Sequence, residues 1–184
     1  EGHFVQDRFA IGFWVDPPAD ERMDERYAEI ADANFTVVIG GFGASTREHV
    51  DRQLALCEKH DLKAVVITNN AAPQDYDKLP TGPACWGYLL QDEPSVSEFA
   101  HLREKSDALK KAQPDKFAYV NLLPQYVTPE RLEAKDYDDY VRRYCEEVHP
   151  SVLCMDHYPL FTPGADGRDA YCENLVYMRK HSLA

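Results

Sequence analysis

Short apolar runs alternate with helical stripes along almost the whole chain, and that alternation predicts its elements. The runs at 9–15, 35–40, 62–68, 86–91, 117–122 and 152–155 are nearly continuous in apolar character, as strands covered on both faces must be. Between them, apolar residues at helical spacing predict helices over 20–33, 47–60, 97–112 and 129–148, with a last one from about Tyr171. Met23, Tyr27, Ile30 and Ala31 share one face, as do Phe99, Leu102 and Leu109, and likewise Tyr137, Tyr140, Val141, Tyr144 and Val148. Start signals agree with the stripes: Asp20 precedes the first helix, Ser45 and Glu48 suit a capping box for the second, and Thr128 stands before Pro129. Only the stretch 69–85, with Pro73, Pro80, Gly82 and Pro83, lacks a stripe, and it reads as an irregular crossover.

Such alternation implies right-handed βαβ units and a parallel sheet, open or closed. A closed eight-stranded barrel takes about 250 residues. The 184 residues supply six βα units. The expectation is therefore one α/β domain over 1–184, a partial (β/α)8 TIM-barrel-like fold whose last strands lie outside this chain or come from another. Open edges at 9–15 and 152–155 would then invite self-association.

Composition narrows the partners. Apolar residues make up 44% and aromatics 11%, enough for a core, and the formal charge of -12 opposes nucleic acids and anionic membrane surfaces. No stretch approaches the roughly 20 apolar residues of a membrane span. The chain starts at Glu1 with nothing resembling a signal peptide, so a removed leader or a fragment is expected. Cys57, Cys85, Cys145, Cys154 and Cys172 lack metal-site spacing and read as buried thiols. His3, His49, His60, His101, His149 and His181 fall on helices or termini and read as solvated.

Candidate chemistry gathers just after the strands. Trp14 and Asp16 follow the first, Gly40-Gly41-Phe42-Gly43 the second, Asn69 and Asn70 the third, Asp92 and Glu93 the fourth, and Asp156, His157 and Tyr158 the sixth. Asn121 ends the fifth run, with Gln125 and Tyr126 beyond it. Aromatic faces beside amides and carboxylates suit sugars, and strand C-terminal ends carry the chemistry of parallel barrels. The glycine loop lacks the Lys and Ser or Thr of a phosphate-binding loop. Trp86 reads as packing. Pro94 stops the fourth strand, and Ser95 with Glu98 makes a capping box for the following helix.

The segment 86–95, Trp-Gly-Tyr-Leu-Leu-Gln-Asp-Glu-Pro-Ser, resembles the fourth-strand signature of clan A retaining glycoside hydrolases, whose strand ends in Asn-Glu-Pro or Asp-Glu-Pro. Phe13-Trp14, the segment 119–124 and the segment 155–159 are similar to corresponding segments of bacterial barrel hydrolases. The resemblance implies Glu93 as general acid/base, Asp92 as the group that tunes it, and Trp14, Asn69, Asn121, Tyr126, Asp156, His157 and Tyr158 as the sugar subsite. It also implies a carbohydrate substrate, no cofactor or metal, and a secreted or periplasmic setting. In that family the nucleophile is a Glu ending the seventh strand, for which the chain offers no counterpart. Two other readings stay open: a metal-dependent sugar enzyme with Glu93, Asp156 and His157 as ligands, and a carbohydrate-binding remnant without turnover.

Overall fold

A computed structural model describes residues 3–160 and 166–183. Six strands form one parallel sheet whose neighbours follow chain order: β1 (Gly12–Phe13), β2 (Val37–Ile39), β3 (Lys63–Ile67), β4 (Cys85–Asp92), β5 (Phe117–Leu122) and β6 (Cys154–Met155). The helices are α1 (Met23–Asp32), α2 (Arg47–Lys59), α3 (Phe99–Ala112), α4 (Pro129–Leu132), α5 (Tyr137–Val148) and α6 (Arg168–Ser182). The protein is thus α/β with parallel pairing, as the alternation predicts. The chain divides into two compact units, Glu1–Leu90 with Asp107–Tyr119, and Gln91–Ser106 with Val120–Ala184.

In the first unit, Met23, Tyr27 and Ile30 of α1 and Val50, Leu54 and Cys57 of α2 pack into one core with Val38, Ala64, Val66 and Tyr88 from the strands. The strand middles are covered on both faces, which is why they carry no alternation. Gly87 lies where a Cβ would come within 2.2 Å of the Phe117 carbonyl, so only glycine lets those two backbones approach. Strand β1 is far shorter than the predicted 9–15. The Thr36 hydroxyl donates to the Phe9 carbonyl (2.7 Å) and accepts from Ile11 N–H (2.9 Å), so a side chain takes the place of ladder bonds there. Phe9 and Val15 are correspondingly exposed. The irregular crossover holds a 3-10 turn over Pro73–Lys78 that buries Tyr76.

In the second unit Phe99 lies against Tyr140 and Tyr144, each ring centroid 5.4 Å away, and Leu102, Val141 and Leu132 are also buried. The helix predicted over 129–148 is two helices. Glu133 adopts a left-handed conformation (φ 56°) that ends α4, and Asp136 caps α5 by accepting from Asp139 N–H at 2.9 Å. The Glu133 carboxylate accepts from Ser97 N–H, which fixes the break in place.

Other ends shift for local reasons. Thr46, not Ser45, caps α2. Asp20 takes Arg22 N–H and the Arg26 guanidinium, so α1 starts three residues beyond the predicted 20. Helix α6 begins at Arg168 rather than Tyr171. Two histidines expected in solvent are paired: His60 with Asp24 at 2.7 Å and His181 with Asp138 at 2.8 Å. Cys57 and Cys85 are buried, and desolvation pushes their thiols up, whereas Cys172 is exposed against expectation. Trp86 is buried and meets Phe4 edge-on, in keeping with its packing role.

Candidate active site

The site starts from the way β4 ends. Proline at 94 disfavours a right-handed helical conformation in the residue before it, and Glu93 instead takes a left-handed one, φ 46°. For a residue with a long side chain this costs about 1–3 kcal/mol and persists only where neighbours impose it. Four hydrogen bonds do so. Glu93 N–H donates to the Asn121 carbonyl (2.8 Å), the Glu93 carbonyl accepts from Arg131 Nη2 (2.8 Å), the Pro94 carbonyl accepts from the Tyr140 hydroxyl (2.7 Å), and Ser95 N–H donates to Glu98 (2.8 Å). At about 1 kcal/mol each they offset the strain. The Ser95–Glu98 capping box is formed as predicted.

The turn brings three carboxyls together at the ends of β4 and β6. Strand β6 pairs with β5 through Asn121 and Cys154, and Asp156 N–H continues the ladder to the Leu122 carbonyl at 2.7 Å. Asp92 accepts from the Asn121 amide at 3.0 Å, which aims it at β5. The group that acts most strongly on the Glu93 carboxyl is Asp156, through its charge. Asp92, expected from sequence to tune Glu93, acts on it through charge, behind Asp156.

Electrostatics follow from that arrangement. Desolvation raises Glu93 above the usual carboxylate value, the Asp156 and Asp92 charges raise it further, and Arg131 opposes them weakly. Asp156 is also raised, again chiefly by desolvation, while its bonds to Glu93 and Tyr158 lower it. Both carboxyls are therefore raised, and the pair binds a proton more readily than two separate carboxyls would. The adjacent Asp156 charge raises the Tyr158 phenol in turn.

Behind the carboxyls lies a polar cluster that sequence reading missed. Asn174 of α6 is fully buried; its Oδ1 accepts from Gln125 N–H (3.1 Å) and faces His157 Nδ1 (2.9 Å), and its Nδ2 donates to the Tyr137 hydroxyl (2.9 Å). The His157 ring meets Tyr126 and Tyr171 edge-on, at 5.2 and 5.3 Å. Its Nε2 is buried and has no hydrogen-bond partner among the described residues. An Asn within a helix gives no sequence signal of this kind, and Arg131 is equally silent because its contact is with a backbone carbonyl 38 positions away.

Of the nine residues singled out from sequence, Asp92, Glu93, Asn121, Tyr126, Asp156, His157 and Tyr158 belong to the second unit and fall within this neighbourhood. Trp14 and Asn69 belong to the first unit. Trp14 packs against Phe42 and Tyr119, with centroids 6.3 and 6.2 Å away, and Asn69 is exposed in a left-handed turn after β3. The glycine loop after β2 holds a carboxylate of its own chain. Buried Asp16 accepts from the N–H groups of Phe42 (2.9 Å), Gly43 (2.7 Å) and Ala44 (2.7 Å). A Cβ at Gly43 would fall 1.7 Å from the Pro17 carbonyl, which explains the glycine.

No family model matches the chain, and no curated protein is detectably similar to it. The class that fold and site define is therefore a parallel α/β protein with a carboxyl cluster at its strand ends. Among the described residues no three His, Cys, Asp or Glu side chains are grouped to hold a metal ion, and no helix is long and apolar enough to cross a membrane.

Proposed function

We propose that this chain carries the proton-donating half of a glycoside hydrolase site, on a sheet that represents the first six units of a (β/α)8 barrel. The observation that carries the reading is Glu93, held in a strained turn at a strand end with its carboxyl raised by burial and by the Asp156 and Asp92 charges. Cleaving a glycosidic bond requires a carboxylic acid that is still protonated near neutral pH and can give that proton to the leaving oxygen. Burial and two neighbouring charges raise Glu93 in that direction. Asp156 raises Glu93 through its charge, so its role in this reading is to help hold the proton on Glu93. The attacking carboxylate is then the seventh-strand Glu that the clan A resemblance implies. Asn121, Tyr126, His157 and Tyr158 shape the sugar subsite in this reading.

Replacing Glu93 by Gln keeps the shape and removes the acid. Hydrolysis of aryl glycosides by the native protein and by Glu93→Gln is expected to differ by about 10²–10⁴-fold, the usual contribution of a positioned general acid. Equal rates remove Glu93 from the mechanism.

A further inference from the structure

The cluster behind the carboxyls fixes a proton on one nitrogen of His157. A backbone N–H can only donate, so the Asn174 atom that receives Gln125 N–H is the amide oxygen, and the same oxygen faces His157 Nδ1. Two groups meet an oxygen that has no hydrogen to give; Nδ1 must therefore carry the hydrogen and donate it. The amide nitrogen points the other way, to the Tyr137 hydroxyl, so the amide has no reason to flip. Neutral His157 is then the Nδ1–H tautomer, and Nε2 is its one site for a further proton.

We infer that Asn174 is a positioning residue for the acids at the strand ends: it commits His157, the residue that follows Asp156 in the chain, to the Nδ1–H form and fixes its ring. This rests on the reading of Glu93 as an acid. Positive charge on the ring lowers Asp156, and the Asp156 charge in turn raises Glu93. No bond other than N–H and O–H changes. The titratable groups around the ring are Asp156 and Tyr158 on its own segment, Tyr126 after β5, Tyr137 on α5 through Asn174, and Tyr171 on α6; Asp92 and Glu93 act through Asp156.

The test is nitrogen NMR of the ¹⁵N-labelled imidazole in the native protein, in Asn174→Leu and in Asn174→Asp, with the Glu93 carboxyl titrated by ¹³C NMR in the same samples. Native His157, in its neutral form, should show a protonated Nδ1 and a bare Nε2. Asn174→Leu should mix the tautomers and shift the Glu93 titration, and Asn174→Asp, which restores an acceptor oxygen, should return Nδ1–H. A bare Nδ1 in the native protein overturns the proposal, and so does a Glu93 titration that is unchanged in both Asn174→Leu and His157→Gln. Since Asn174→Leu could unfold, His157→Gln supplies the second variant, and tautomer and titration are read without turnover. Failure of hydrolysis with the tautomer intact would thus count against the acid reading alone.

Discussion

Glu93 combines two unfavourable conditions, a left-handed backbone and a carboxyl raised by burial and by two like charges. Both are expensive for stability, and such residues concentrate where chemistry requires them. The pH dependence follows from the direction of the shift. A carboxyl whose folded pKa is raised binds its proton more tightly in the folded state, so its favourable contribution is complete below the ordinary value of 4.5 and is lost as pH rises through the raised folded value. Glu93→Gln cannot ionise. Urea unfolding at a series of pH values should therefore show the native protein losing ground to Glu93→Gln as pH climbs above 4.5, and a difference independent of pH would mean that Glu93 is an ordinary surface carboxylate.

At the scale of elements, what was legible in the sequence was what depends on local spacing. Strand β5 has its predicted bounds, β4 carries its acids at its end, and the Ser95–Glu98 box is formed, because apolar runs, prolines and caps act within a few residues. Where distant groups intervene, reading along the chain fails. Thr36 intercepts the β1 ladder from another strand, and the break between α4 and α5 depends on a left-handed Glu133, a residue type with no preference for that conformation. The glycine loop belongs here too. Its role is to present three N–H groups to Asp16, and Asp16→Ala would leave all three without that acceptor, the Ala44 N–H in a buried place and the other two in partly buried ones. A loss of about 3 kcal/mol or more is expected, at 1 or more for each orphaned donor. Measured by urea denaturation, a loss under about 1 kcal/mol would show that the loop does not depend on Asp16.

For the molecule as a whole, the charge of -12 means self-repulsion, while the ion pairs that oppose it, such as Arg22–Glu25 and Arg47–Asp51, are mostly exposed. Exposed pairs contribute about 0–1 kcal/mol each, so relief of repulsion should outweigh their screening. Raising salt from about 0.01 M to about 1 M, which shortens the screening length from about 30 to about 3 Å, is expected to raise Tm. A falling Tm would mean that the pairs dominate. The candidate site was legible only in part: the acids and His157 stand at strand ends and could be read there, whereas Arg131, Tyr140 and Asn174 take part through contacts with residues 17 to 46 positions away. The action of Asp156 on Glu93 is of the same kind, and it is the centre of the account. Its most direct test is ¹³C titration of the Glu93 carboxyl in the native protein and in Asp156→Asn. Glu93 should titrate above 4.5 in the native protein and move toward that value when the Asp156 charge is removed; titration at the ordinary value in both would contradict a raised Glu93 carboxyl and, with it, the acid assigned to this strand end.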